Sequence, residues 1–134
     1  MQLTRVLALD YGSARCGCAL TDPTATIAIP VAPVLRPGTK HGVATIMQVV
    51  AEGEVGRVIV GLPLSLRGQD TDQTRETREF AQRLARRLGG AVPVELYDER
   101  FTTALAARER ESRTSEDSRA AAHLLESWLA AQGG

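Results

Sequence analysis

The stretch RVLALDYGSARCGCALTD, residues 5–22, decides the fold. Residues 5–10 (RVLALD) and 16–21 (CGCALT) each read as a strand, joined by Tyr11-Gly12-Ser13-Ala14-Arg15 in a turn of hairpin type. The first strand is the most apolar segment of this region, yet it runs straight into Asp10. Burying an ionised carboxylate costs several kcal/mol unless a hydrogen-bond network, a cation or a metal ion compensates it. Asp10 therefore implies a hydrogen-bond network, a cation or a metal ion at the end of this strand.

Outward from this hairpin, "TIAIPVAPVL" at 26–35 is apolar but carries Pro30 and Pro33, which restricts it to the edge of a sheet. Val43, Ile46, Met47 and Val50 recur at helical spacing. "RVIVGLPL" at 57–64 is a continuous apolar run bounded by Gly61 and Pro63, the pattern of a buried parallel strand. A helix is predicted from Thr71 to Leu88, with Phe80, Ala81, Leu84, Ala85 and Leu88 on one stripe and Gly89-Gly90 as its stop. "VPVELYDER" is a further buried strand ending in charge. A short helix over 103–109 follows, then a last helix over 115–131 with Ala121, Leu124, Leu125 and Trp128 facing inward. Three strands, then helix, strand, helix, strand, helix, helix imply an α/β fold with a mixed sheet covered on both sides. The 134 residues suit one domain spanning 1–134.

Composition bounds the class. Hydrophobic residues make up 43% and charged residues 24%, ordinary values for a globular chain. There is neither a membrane-length apolar run nor a secretion-signal pattern, so the expectation is a cytoplasmic protein that does not engage the membrane. Cys16 and Cys18, two apart on one strand face, read as reduced core thiols. The 16 basic and 16 acidic residues cancel, which disfavours indiscriminate nucleic-acid binding. All basic residues but Lys40 are arginine, which suits bidentate phosphate contacts. His41 and His123 are isolated in sequence and read as surface or packing residues.

The acids fall at telling places. Asp10 ends the first strand, Asp98 and Glu99 end the last, and Asp117 heads the inner stripe of the final helix at i, i+4, i+7, i+11 with Ala121, Leu124 and Trp128. Functional sites of open α/β sheets gather at the carboxyl ends of parallel strands. Carboxylates converging there repel one another unless a hard divalent cation relieves them. Each acid also has a structural reading: a helix cap for Asp117, an arginine partner for Asp98 or Glu99, a turn former for Asp10. After "VIVG", the loop "GLPLSLRGQDTDQTRE" leads into a helix N-terminus, with Arg67, Arg75 and Arg78 around it. It reads either as a phosphate-holding loop or as a purely structural turn.

Taken together, "LALDYGSARCGCALTD", "VIVGLPLSLRG", "YDERFTT" and "EDSRAAAHLLESWL" resemble, in order and spacing, the YqgF/RuvX family over nearly the whole chain. Its members are also called RuvC-like Holliday junction resolvases and are mostly described as pre-16S rRNA processing nucleases. The resemblance implies a ribonuclease H-like fold, a five-stranded mixed sheet flanked by helices, and a cytoplasmic divalent-metal-dependent nuclease. It carries Asp10 over as the central metal ligand, Glu99 with Asp98 beside it as the second acid, and Asp117 as the acid of the last helix. Arg15, Gly12 and Gly17 match the first motif; Arg100, Thr102 and Thr103 match the third. Ser65 and Arg67 stand where the family usually has an asparagine and often an aspartate, and the segment over 107–115 is shorter and less basic than the family's.

The mechanism this implies is two-metal phosphodiester hydrolysis with Mg²⁺ or Mn²⁺, the ions about 3.5–4 Å apart. Asp10 would bridge them, Glu99 and Asp117 would complete the shells, and Arg15 or Arg100 would hold a phosphate. The expected substrate is nucleic acid, either the 5′ precursor of small-subunit rRNA, with the assembling subunit as partner, or a four-way DNA junction. The chain is expected as a monomer or a homodimer, the junction activity requiring the dimer. "LDYGSAR" also resembles the phosphate-binding turn of sugar kinases and actin-type ATPases, which close two such domains over ATP; a non-catalytic nucleic-acid-binding module stays a lower alternative, against which the three acids together argue.

Overall fold

The computed structural model describes residues 4–101 and 116–133, with side chains described for 4–100 and 118–133. The predicted helix over 103–109, Thr102 and Thr103, the 107–115 segment and the side chain of Asp117 lie outside the described residues.

Five strands form one sheet: β1 (Arg5–Asp10), β2 (Arg15–Thr21), β3 (Ala28–Leu35), β4 (Val55–Leu62) and β5 (Val94–Asp98). Their order is β3-β2-β1-β4-β5. β1 pairs antiparallel with β2, and β2 with β3, while β1, β4 and β5 run parallel. The mixed sheet expected from the order of elements is therefore present, with the proline-bearing β3 at its edge. Three helices cover it: α1 (Lys40–Glu52), α2 (Asp72–Leu88) and α3 (Glu116–Gln132).

Strand alternation sorts the core into two layers. Leu7 and Leu9 of β1 and Val58 and Val60 of β4 pack with Val43 and Ile46 of α1 and Phe80 and Leu84 of α2. Val6 and Ala8 of β1 and Ile59 of β4 face the other way, onto Ala121, Leu124, Leu125 and Trp128 of α3. All four residues read as the inner stripe of the last helix are buried. Cys16 and Cys18 are free, buried thiols in the first layer, as expected.

Several boundaries differ from the sequence reading by a residue or two, and two of them have a clear local reason. Thr71 precedes α2 as its cap: its hydroxyl accepts from the Thr74 amide, and the Thr74 side chain closes the capping box by accepting from the Thr71 amide. At the end of β5, the residues Glu99–Phe101 leave the strand as a 3₁₀ turn. Strand alternation sets Asp98 on the Leu96 face and Glu99 on the Tyr97 face, and Glu99 opens the 3₁₀ turn.

Candidate active site

The carboxyl ends of β1, β4 and β5 lie side by side at one edge of the sheet. The register sets Leu9 against Val60, and Gly61 against Tyr97, so the next step along each strand brings Asp10, Gly61 and the start of the 3₁₀ turn together. By alternation Asp10 lies on the Ala8 face, the face that α3 covers. Gly61 is buried on that same face. The Glu99 side chain reaches across it: a Cβ built on Gly61 would stand 2.7 Å from Glu99 Oε1 and 2.9 Å from Glu99 Cγ. The Glu99 carboxylate thus occupies the space above β4, beside the strand that ends in Asp10.

The first turn of α3 is pinned to this edge by Ser118. Its buried hydroxyl donates to the Val31 carbonyl of β3 at 2.5 Å and accepts from the Cys18 amide of β2 at 3.3 Å. These contacts sit at the irregularity in the β2–β3 register between Cys16 and Cys18. Gly17, inside that irregularity, is the register partner of Asp10. The backbone of Asp117, next to Ser118, is thereby held at the same end of the sheet and over the same face. Ser118 was not singled out in the sequence; a serine in an amphipathic helix ordinarily reads as a solvent-facing residue, and no local pattern marks its strand partners.

Asp98 is placed differently from Glu99. It shares strand parity with Leu96, which belongs to the α1/α2 layer. Its carboxylate is taken up by Arg100, whose Nε and Nη2 donate to it at 3.0 and 2.6 Å and whose backbone amide donates at 2.9 Å. The Arg100 hydrogen bonds hold the Asp98 carboxyl below its ordinary range. Arg100 also donates to the Leu66 carbonyl at 3.4 Å and lies 3.2 Å from where a Gly68 Cβ would be. It therefore ties the end of β5 to the loop after β4.

That loop is a tight turn. Ser65 accepts from Gly68 through its carbonyl and from the Gln69 amide through its hydroxyl, and Gly68 adopts a left-handed φ of 79°. Leu66 and Arg67 are exposed at its tip. The other arginines there are held by nearby acids: Arg78 forks onto Asp70 of the loop at 2.9 and 3.0 Å, and Arg75 pairs with Asp72 in the first turn of α2. α2 lies across the sheet from α3, so Arg75 starts from the opposite side to the Glu99 carboxylate. The Thr71 cap also accounts for part of the α2 N-terminus, which supports the structural reading of this loop. Arg15 opens β2 at the same edge as Asp10 and is exposed.

On the α2 side, Tyr11 stacks on Phe80 with ring centroids 4.5 Å apart and donates to Glu76 Oε1 at 3.1 Å. Burial, together with the Glu76 hydrogen bond, raises the Tyr11 hydroxyl to about 12. The turn immediately after Asp10 is thereby anchored to α2. His41 is exposed, as the sequence suggested, and His123 pairs with Glu126 at 3.1 Å on α3.

Among the described residues, no three His, Cys, Asp or Glu side chains gather into a metal-binding group. Two oxygen donors, Asp10 and Glu99, share one face at the strand ends, the cradle above Gly61 is filled by a carboxylate, and the backbone of Asp117 is delivered to the same end. Hard carboxylate oxygens are the ligands that Mg²⁺ and Mn²⁺ take, so the residues fit.

An α/β sheet of this order, with acids at the carboxyl ends of the parallel strands β1 and β5, is the architecture of the RuvC-like, ribonuclease H-like fold. Thermus thermophilus RuvC in complex with Holliday junction substrate superposes with a TM-score of 0.62 at 18% identity, covering 98% of this chain and 96% of that one. The fowlpox virus Holliday junction resolvase superposes at 0.54 and 12% identity, covering 96% and 99%. Residues 4–131 match the family model "RuvX: Holliday junction resolvase", and the chain belongs to that family. A relative from Maridesulfovibrio salexigens is 36% identical over 94% of this chain and 98% of its own length, and one from an Anaeromyxobacter species is 42% identical over 93% and 96%. Both carry the name "Putative pre-16S rRNA nuclease".

Proposed function

We propose that this protein is a divalent-metal-dependent endonuclease that cleaves a phosphodiester in the 5′ precursor of small-subunit rRNA, in the cytoplasm, acting as a single domain over 1–134. The observation that carries the reading is the Glu99 carboxylate lying over Gly61, one strand from Asp10 and on the α3 face. The names of the full-length relatives support the rRNA substrate.

Asp10, Glu99 and Asp117 are the residues that would hold Mg²⁺ or Mn²⁺. Bound there, the metal supplies an acidified water and offsets charge on the phosphorane-like transition state. Everything else is the work of the chain. Asp10 and Glu99 present fixed oxygens on one face. Ser118 holds the first turn of α3 against β2, so that the third acid arrives from a rigid helix. Arg15 and Arg67, exposed on either side of Asp10 along the sheet edge, bind backbone phosphates. Arg100, locked onto Asp98, stiffens the loop that presents Arg67. Asp98 serves through Arg100 and not as a ligand, and Arg75 is assigned to its pairing with Asp72. Thr102 is assigned to substrate on the motif match.

A four-way DNA junction is the second reading, favoured by the description of the family model. The two are separated by one experiment. Wild type and Asp10→Asn are incubated with Mn²⁺ or Mg²⁺ and either a labelled rRNA precursor or a four-way junction, and the oligomeric state is measured alongside. The expected result is metal-dependent cleavage of the RNA that is lost in Asp10→Asn, whose melting temperature stays near that of wild type. Full activity of Asp10→Asn would overturn the metal site; cleavage of the junction alone, by a dimer, would overturn the RNA substrate.

A further inference from the structure

We infer that Gly61 is a positioning residue: by having no side chain it admits the Glu99 carboxylate to the space beside Asp10. The inference rests on the nuclease reading above and deepens it.

The usual reasons for glycine do not apply here. The positive-φ glycines among the described residues are Gly68, Gly89 and Gly90, and Gly61 is not one of them. It sits inside a buried parallel strand, between Val60 and Leu62, where glycine weakens pairing and forgoes packing. What the position requires is space. A Cβ there would stand 2.7 Å from Glu99 Oε1, 2.9 Å from Glu99 Cγ and 3.1 Å from Leu124 Cδ2. Two of these three contacts are shorter than real Cβ atoms make, and both belong to Glu99. The gap in β4 has the outline of a side chain that crosses it from β5.

The crossing matters because of where Glu99 starts. β5 is separated from β1 by the whole width of β4. A carboxylate rooted just past β5 approaches Asp10 only by passing over the intervening strand, and Gly61 is the residue it passes over. A methyl group at 61 pushes Glu99 off that path and separates the two acids. The first symptom is weaker metal binding, since the donors no longer converge, and slower cleavage follows from it.

The test compares wild type, Gly61→Ala, Glu99→Gln and the double variant by calorimetric titration with Mn²⁺ in the absence of substrate, alongside thermal unfolding of the metal-free proteins. Gly61→Ala is expected to weaken Mn²⁺ binding about tenfold, Glu99→Gln to weaken it at least as much, and the double variant to be no worse than Glu99→Gln, because both changes remove the same donor. Gly61→Ala/Leu124→Val relieves the helix contact alone; it is expected to recover melting temperature and not Mn²⁺ affinity. Wild-type affinity in Gly61→Ala, additive losses in the double variant, or affinity restored by Leu124→Val would each overturn the inference while leaving the metal site standing. A wild type that binds no Mn²⁺ would overturn the metal site and this inference with it.

Discussion

Asp98 and Glu99 are adjacent in sequence, and composition offers no way to choose between them; in the fold their contacts differ. Asp98 stays on the strand and is taken by Arg100, while Glu99 begins the turn and crosses Gly61. The two substitutions are therefore expected to behave differently. Glu99→Gln removes an oxygen donor beside Asp10 and should lower kcat by at least two orders of magnitude with the fold retained. Asp98→Asn loosens Arg100 from the β4 loop and should raise KM several-fold with kcat near wild type, since an exposed ion pair of this kind is worth at most about 1 kcal/mol. Steady-state kinetics on the rRNA precursor, with melting temperatures for both variants, make the comparison. Equal losses of kcat would show that both acids act on the metal. Asp10 was legible from its place at the end of an apolar run. The different contacts of residues 98 and 99 were not, because they depend on the Arg100 fork and on the space over Gly61, a residue of another strand.

At the scale of elements, continuous apolar runs were enough to read β1 and β4, Pro30 and Pro33 to read the edge position of β3, and helical spacing to read the inner faces of α2 and α3. What the pattern could not carry is the contact that fixes α3 along its own axis. A stripe of Ala121, Leu124, Leu125 and Trp128 sets which face of the helix is inward, yet it tolerates sliding along the sheet. Ser118 removes that freedom by bonding to β2 and β3 together, 100 and 87 residues away in the chain. Contacts of such separation leave no local signature. Ser118→Ala leaves the buried Cys18 amide without its partner, at a cost of about 1–3 kcal/mol. It should therefore lower the unfolding free energy by that amount and also raise the Mn²⁺ concentration needed for half-maximal cleavage. Ser118→Thr, which keeps the hydroxyl, should recover part of both. A stability loss with an unchanged Mn²⁺ requirement would mean that the serine packs the helix without setting its first turn.

Over the whole molecule the charges cancel, 16 against 16, so no long-range field draws a polyanion to the surface at large. Several arginines are also taken by carboxylates: Arg57 by Glu95, Arg78 by Asp70, Arg75 by Asp72 and Arg100 by Asp98. On the proposed function, contact with a nucleic-acid backbone is assigned to Arg15 and Arg67, which are exposed at the site edge on either side of β1. Two arginines neutralise roughly two phosphates, and each phosphate neutralised on a single strand contributes about −0.7 to the slope of log affinity against log salt. The slope for the Asp10→Asn protein, expected to be inert, on the RNA precursor should accordingly be about −1.4, shallow beside that of a broad basic face. Arg67→Ala in that background should make it shallower by about 0.7 and weaken binding by a similar factor on RNAs of unrelated sequence, because a phosphate contact reads no base. Mn²⁺ affinity should stay where it was, since Arg67 stands on the β4 loop and not among the acids. Fluorescence anisotropy between 50 and 300 mM KCl gives the slopes. A slope steeper than about −5 would place phosphate contacts well beyond the site edge, and an unchanged slope in Arg67→Ala would remove that arginine from the path of the backbone.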